Sequence, residues 1–381
     1  MPLVPHQILH LKTIAELRAA APRWDALWQE CDVTIPTAQA TLLEQWLAQF
    51  HATHAFHAVA VADDEGRLLA ALPLVGRRLH GMLSAGHLAS NAWTPAADLL
   101  LSPEADDSVL DTLAQGLARM PWAILWLDFA IVSAPRWQRL VAACRRAGLE
   151  ADSHEHFRLP QIDIAGSWEA YRATWSRNHR QSLARMRRKL EADHGPIQLR
   201  RLHPTSPDEI AALLQTGFAI EHRSWKGAAG SSVLRTPGML SYLTQQATLL
   251  AERGQLEIAF LDVADRPLAF MYGWKAKHVF HAFKAGYDEA FASYSPGQLL
   301  FHDLLEDFFR TGEYRVFDCI GPVNSATARW QTSDYAAGRV VIAPPRWMGQ
   351  AAFFAYKHLA PTLRRWRGAS HDVTPTESVA G

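Results

Sequence analysis

The residues best suited to chemistry gather in two stretches of the second half, "EHRSWKG" (221–227) and "HAFKAGYDEAFASYSPGQLL" (281–300). In the second, Ser295-Pro296-Gly297 separates a strand-like run from a helix-like run. Proline suits the first helical position, and it pushes Ser295 toward an extended conformation from which serine can cap the helix. Gly297 bares the backbone at that turn. The N–H groups of Gly297, Gln298 and Leu299, with the helix dipole, would then hold an anion such as pyrophosphate, provided a strand leads into them. A plain helix start is the competing reading.

Three side chains nearby could handle a proton. Glu221 ends a helical pattern beside Trp225, and a carboxylate in apolar surroundings has a raised pKa suited to a general base. It could equally pair with Arg223 or Lys226. Asp288 is the competing base, or a turn former at the strand end. Lys284 falls mid-strand among apolar neighbours, where an unpaired ammonium is costly, so it should face a polar cleft or be paired. Strand alternation puts His281 on the opposite face, as a structural histidine. Cys319 reads as a core residue.

The segment from Trp175 to Leu190 sets Trp175, His179, Leu183, Met186 and Leu190 on one face and six cations around the rest, with no acid from 170 to 190. Such a face suits an anionic partner, or is neutralised by the acidic run "DLLEDFF". Arg177, Asn178 and Arg180, with Trp225 and Lys226, are the candidate substrate-binding residues. "HATHAFH" offers His51, His54 and His57, yet it crosses from a helix end into a strand, so no metal site is expected. Trp28, Trp46, Trp122 and Trp126 sit at core periodicity, where packing explains them better than sugar stacking.

The chain has 381 residues, enough for two domains, and 38 basic against 38 acidic side chains, which argues against a general nucleic-acid binder. Three well-separated cysteines suggest neither a disulfide framework nor a zinc knuckle and fit a reducing cytoplasm. No secretory pattern or membrane-spanning run is read. "GQAAFFAYKHLAPTLRRWRG" is apolar and then basic; it could lie on an anionic bilayer surface or be a docking helix with a solvated basic end. "SHDVTPTESVAG" reads as a disordered tail.

The elements that must position these residues follow from periodicity. The first half reads helix, helix, strand, strand, strand, helix, strand, helix, with a hairpin around Asp63-Asp64-Glu65-Gly66. The second half reads strand, one long helix from Ser167 to Gly195, strand, two helices, three strands with tight turns, a helix and two further strands. The fold class is therefore α/β with mixed sheets. Expected domains are 1–157, 158–350, and a terminal helix and tail over 351–381.

This order, with "TWSRNHRQSLARMRRKLE", "EHRSWKG", "AGYDEAFASYSPGQLL" and the "ALPLV" strand of a Trp-rich first half, resembles the FemAB-related, CelD-like branch of the GNAT acyltransferase superfamily. The resemblance implies two tandem GNAT-like domains, the first degenerate, and acyl transfer from a thioester to an amine or hydroxyl. It also implies an acyl-CoA lying along the strand that ends in Ala285 and Tyr287, with its pyrophosphate at Ser295, Gly297, Gln298 and Leu299. Backbone N–H of Lys284 or Ala285 would polarise the carbonyl, and Asn324 would hold the cofactor amide. This chain has one glycine where the family loop has more, so an acyl-carrier protein or aminoacyl-tRNA are alternative donors. A sugar or small-molecule acceptor, as in polysaccharide assembly, or a catalytically silent binding module, completes the set of readings.

Overall fold

The computed structural model describes residues 6–51, 55–79 and 81–359, which group into two compact units. The first comprises residues up to Val33, Thr37–His156 and Ala336 onward; the second comprises Thr34–Pro36 and Phe157–Tyr335.

In the first unit β1 (Gln7–Leu11), β2 (Phe56–Ala62), β3 (Leu68–Leu79) and β4 (Leu83–Leu88) pair antiparallel in that order. The two-residue β5 (Leu100–Leu101) pairs β3, and β6 (Ile124–Ala130) runs parallel to β4. Helices α1 (Ile14–Glu30), α2 (Ala40–Phe50), α3 (Asp107–Ala118) and α4 (Pro135–Arg146) accompany them. A reciprocal cap between Thr13 and Glu16 starts α1, and Trp24, Trp46 and Trp137 are wholly buried. Trp28 and Trp122 are buried too, whereas Trp126 is half-buried beneath the Arg339 guanidinium, 4.1 Å from its ring centre. β1 and β4 were not expected. Five residues are too few to show a period in β1, and "LSAGHL" in β4 is diluted by small residues.

The second unit begins in β7 (Glu150–Asp163) and continues through α5 (Trp168–Ala173), α6 (Arg177–His194), β8 (Ile197–Leu202), α7 (Pro207–His222), α8 (Trp225–Ala228) and α9 (Met239–Ala251). Then come β9 (Leu256–Val263), β10 (Arg266–Ala276), β11 (Val279–Tyr287), α10 (Pro296–Thr311) and β12 (Val316–Asp318). β8 to β11 are antiparallel neighbours, β12 runs parallel to β11, and the end of β7 pairs antiparallel with β12. Both hairpin turns hold two non-glycine residues at positive φ, Ala264-Asp265 and Lys277-His278, the handedness that suits strand twist. α5, α6 and α10, with Trp175 between the first two, cover one face of this sheet through Trp168, Trp175, Leu183, Leu190 and Leu304.

The single long helix expected from Ser167 is two. Ser176 accepts the His179 N–H and starts α6, while the Arg180 guanidinium donates to the carbonyls of Arg172, Ala173 and Trp175 and closes α5.

β13 (Ser333–Ala343) pairs antiparallel with β6 through Gly338 to Ile342, and α11 (Trp347–Phe354) follows. The second unit thus ends at Tyr335, short of the expected 350, because β13 completes the first unit's sheet. Each unit shows one strand plan: four antiparallel strands, a fifth parallel to the fourth, and a sixth antiparallel to the fifth. The proposed disordered tail lies outside the described residues.

Candidate functional site

β11 is bonded along its whole length to β10, but β12 pairs with it only from Val279 to His281. Beyond that point no strand among the described residues pairs with Ala282–Tyr287 on the β12 side. The Asp288 N–H donates to Leu268 O at 2.8 Å, so alternation directs Gly286 and Lys284 toward β10 and leaves the N–H groups of Ala285 and Tyr287 aimed at the open edge. Of the two N–H donors expected, Ala285 qualifies and Lys284 does not. A bulge sets both Phe283 and Lys284 against Tyr272, shifting the register by one. It therefore puts Lys284 on the same face as His281, contrary to simple alternation. His281 is buried, its Nε2 3.2 Å from Thr34 O and its Nδ1 3.4 Å from Asp318 Oδ2.

Glu221, at the end of α7, is buried; its Oε1 lies 2.9 Å from Lys226 Nζ and its Oε2 accepts the Val233 N–H at 3.1 Å. Lys226 also donates to Ala285 O at 3.1 Å, bringing Glu221, Lys226 and Ala285 together at the open strand. Burial, reinforced by the Lys226 charge and opposed by Glu221, lowers the Lys284 pKa to about 8. Trp225 is 59% exposed, so it does not enclose Glu221 as expected.

Asp288 is committed to structure. Its carboxylate accepts from Arg223 Nε at 2.9 Å, from Arg266 at 3.0 Å and from the Ala290 N–H, and although burial pushes its pKa up, these donors hold it below the usual range. An ionised acceptor of two guanidiniums is a poor base, which corrects its candidacy.

Ser295 has a left-handed backbone, φ 52°, and its side chain makes no cap. Its carbonyl instead accepts the N–H groups of Gln298 at 3.0 Å and Leu299 at 3.2 Å. Two of the three donors expected to hold an anion are thus already engaged. Gln298 Oε1 accepts from Trp330 Nε1 at 2.9 Å, and Leu299 is buried. A Cβ on Gly297 would lie 3.3 Å from the Tyr287 ring, so this glycine serves close packing. Asn324 is exposed and spends its side-chain oxygen on the N–H groups of Ala326 and Thr327, capping a turn, which removes the amide-holding role read from position alone.

Arg177 and Asn178 are exposed at the start of α6; Asn178 lines an open depression of about 570 Å³ with Ser182, Ser325 and Arg329. Arg180 is drawn away to α5, as above. The acidic run neutralises part of the basic face, since Arg187 is paired with Asp303 of α10. Beside that pair the sequence reading missed His302, Asp303 and Glu306, whose ligand atoms lie within 4.8 Å of one another and line a cavity of about 450 Å³ with Arg187. The i, i+4 spacing of His302 and Glu306 was the available signal. Arg187 already supplies the positive charge there. His51 Nε2 lies 2.6 Å from Arg77 and His57 Nε2 lies 3.0 Å from His10, so these two have separate partners; His54 lies outside the described residues. Cys319 is half-buried and burial raises its pKa, as expected for a core thiol.

Residues 177–332 match the acetyltransferase (GNAT) domain family. The second unit carries a GNAT domain. No curated protein matches the chain in sequence. Among solved structures, that of FemX superposes with a TM-score of 0.59 at 9% identity, covering 91% of this chain and 98% of FemX. A conserved protein of unknown function from Bacteroides thetaiotaomicron gives 0.52 at 11% identity, over 90% of this chain and 100% of its own. A C-terminal domain assigned to a lysylphosphatidylglycerol synthetase of Agrobacterium fabrum gives 0.51 at 13%, over 91% and 98%. At these identities the likeness concerns the fold alone, and it extends over both units of the chain. No helix among the described residues is long and apolar enough to cross a membrane.

Proposed function

We propose that the GNAT domain transfers an acyl group from a thioester, with acyl-CoA as the leading donor, to an amine or hydroxyl at the open edge of β11. The observation that carries this reading is the parting of β11 from β12 after His281, which leaves the Ala285 N–H on an open strand edge beside Lys226 and Glu221. A donor lying along that edge would place its carbonyl oxygen on the Ala285 N–H, with the Lys226 charge stabilising the developing oxyanion. Lys284, partly neutral near pH 8, takes the proton of the attacking amine or hydroxyl. The departing thiolate takes one from Lys226, whose ammonium Glu221 holds in place.

The first unit is the degenerate copy in this reading. Its α3 starts on Asp106, whose carboxylate accepts the N–H groups of Ser108 and Val109 and would repel a phosphate. Asn178, on the open depression, and the exposed Arg177 and Trp225 are the proposed contacts for a sugar or small-molecule acceptor in polysaccharide or envelope assembly. A reducing cytoplasm suits the three free thiols.

One observation favours a second donor. With the Gln298 and Leu299 N–H groups bonded to Ser295 O, a pyrophosphate finds little waiting for it at α10. A carrier-protein thioester, or an aminoacyl-tRNA as in FemAB-like relatives, needs no such cradle. Calorimetric titration with acetyl-CoA and a longer acyl-CoA, on the native protein and on Gly297→Glu, separates the readings. Binding that the variant loses supports CoA; absence of binding to both thioesters rejects it and moves the other donors, or a non-catalytic binding role, forward.

A further inference from the structure

α11 belongs to the first unit and presents large apolar side chains outward: Trp347 is 78%, Met348 45% and Phe354 59% exposed. This exposure does not come from loose attachment. Gly349 lies so close to the strand that a Cβ would meet Ala123 O at 2.1 Å, and Phe353 is buried in a cluster with Ala85, Ile124 and Val341. Tyr356 packs edge-on to Trp126 at 5.1 Å. The inner face is therefore locked, and Trp347, Ala351 and Phe354 form an outward stripe at helical spacing. At the β3–β4 turn, Met82 is 82% exposed between Leu79 and Leu83, which pack into the same cluster as Phe353.

The stretch of sequence that carries this stripe has charge of one sign. Between Asp334 and Asp372 the sequence holds no acid but six cations, Arg339, Arg346, Lys357, Arg364, Arg365 and Arg367. Arg339 is engaged by Asp128, while Arg346 and Lys357 are exposed at the two ends of α11. An apolar stripe with an exposed cation at each end opposes self-association, because a two-fold contact would set like charges against one another. It complements a surface that is anionic and has an apolar layer beneath, and tryptophan is at home at such a boundary.

We propose that this face seats the protein on an anionic lipid bilayer, with Trp347, Met348 and Phe354 entering the headgroup layer and Arg346 and Lys357 meeting lipid phosphates.

The test uses the full chain and vesicles of phosphatidylcholine, with and without phosphatidylglycerol. The protein should pellet with the anionic vesicles, release as salt is raised, and leave the zwitterionic ones in solution. The double variant Trp347→Ser, Phe354→Ser should keep the native melting temperature, because both side chains are exposed, and lose vesicle affinity by about tenfold or more. Arg346→Glu with Lys357→Glu should weaken binding to anionic vesicles specifically. Absence of pelleting with anionic vesicles, or unchanged binding by the double serine variant, overturns the proposal. So does a lipid-free dimer in sedimentation velocity that the serine variant abolishes, which would make the face a self-association surface.

Discussion

A side chain on Gly286 would begin 2.7 Å from the Cα of Glu221. Strand backbone here meets helix backbone, so neither side can yield by rotating a side chain. Gly286→Ala should push β11 from α7, destabilise the protein by about 1–3 kcal/mol and displace the neighbouring Ala285 N–H. Urea unfolding would read the first effect. Transfer rate measured well below the melting transition would read the second, and a variant with lowered stability but native rate would detach Ala285 from the chemistry.

Lys284 gives a pH signature. With its pKa lowered from 10.5 to about 8, the proton-accepting form grows as pH rises through 8, so the transfer rate should climb there in the native protein. Lys284→Met should remove this limb. Stability should move the same way: between about 8 and 10.5 the unfolded chain binds the extra proton, so the native fold gains stability with rising pH, and the Met variant should not.

Asp288→Asn removes a charge that holds Arg223 and Arg266 together. A loss of roughly 2 kcal/mol follows from weakening charge-assisted hydrogen bonds. Because the native pKa is depressed, this contribution is present above the ordinary carboxylate range and fades as pH falls below it. The difference in melting temperature between native and Asn proteins should therefore shrink in acid, while the transfer rate per folded molecule stays close to native.

Arg201 binds Glu257 and Asp307, each at 2.6 Å, and Glu313 at 2.7 Å; Glu257 is wholly buried. Arg201→Met strands these carboxylates and should cost about 3–5 kcal/mol. Pairing it with Glu257→Gln should recover part of that loss in chemical unfolding, which two independent sites would not do.

The sequence disclosed the strand and helix order wherever apolar periodicity was long, as in α1, α7 and the β9–β11 meander. It disclosed the Glu221–Lys226 pairing as one of two options. It could not disclose the bulge at Phe283, since a bulge has no period of its own and yet reverses which side chains share a face with Lys284. Nor could it show that Ser295 takes a left-handed backbone and spends its carbonyl on the N–H groups reserved for an anion. Asn324 and Arg180 looked functional by place and charge, and both are consumed by backbone groups within eight residues, Asn324 by a turn it caps and Arg180 by the end of α5.

β13 carries a consequence for synthesis. Because residues 336–343 supply the last strand of the first unit, that sheet cannot be completed until the entire second unit has left the ribosome. The half made first is finished last. Until then β6 keeps an unpaired edge, open to pairing with another strand.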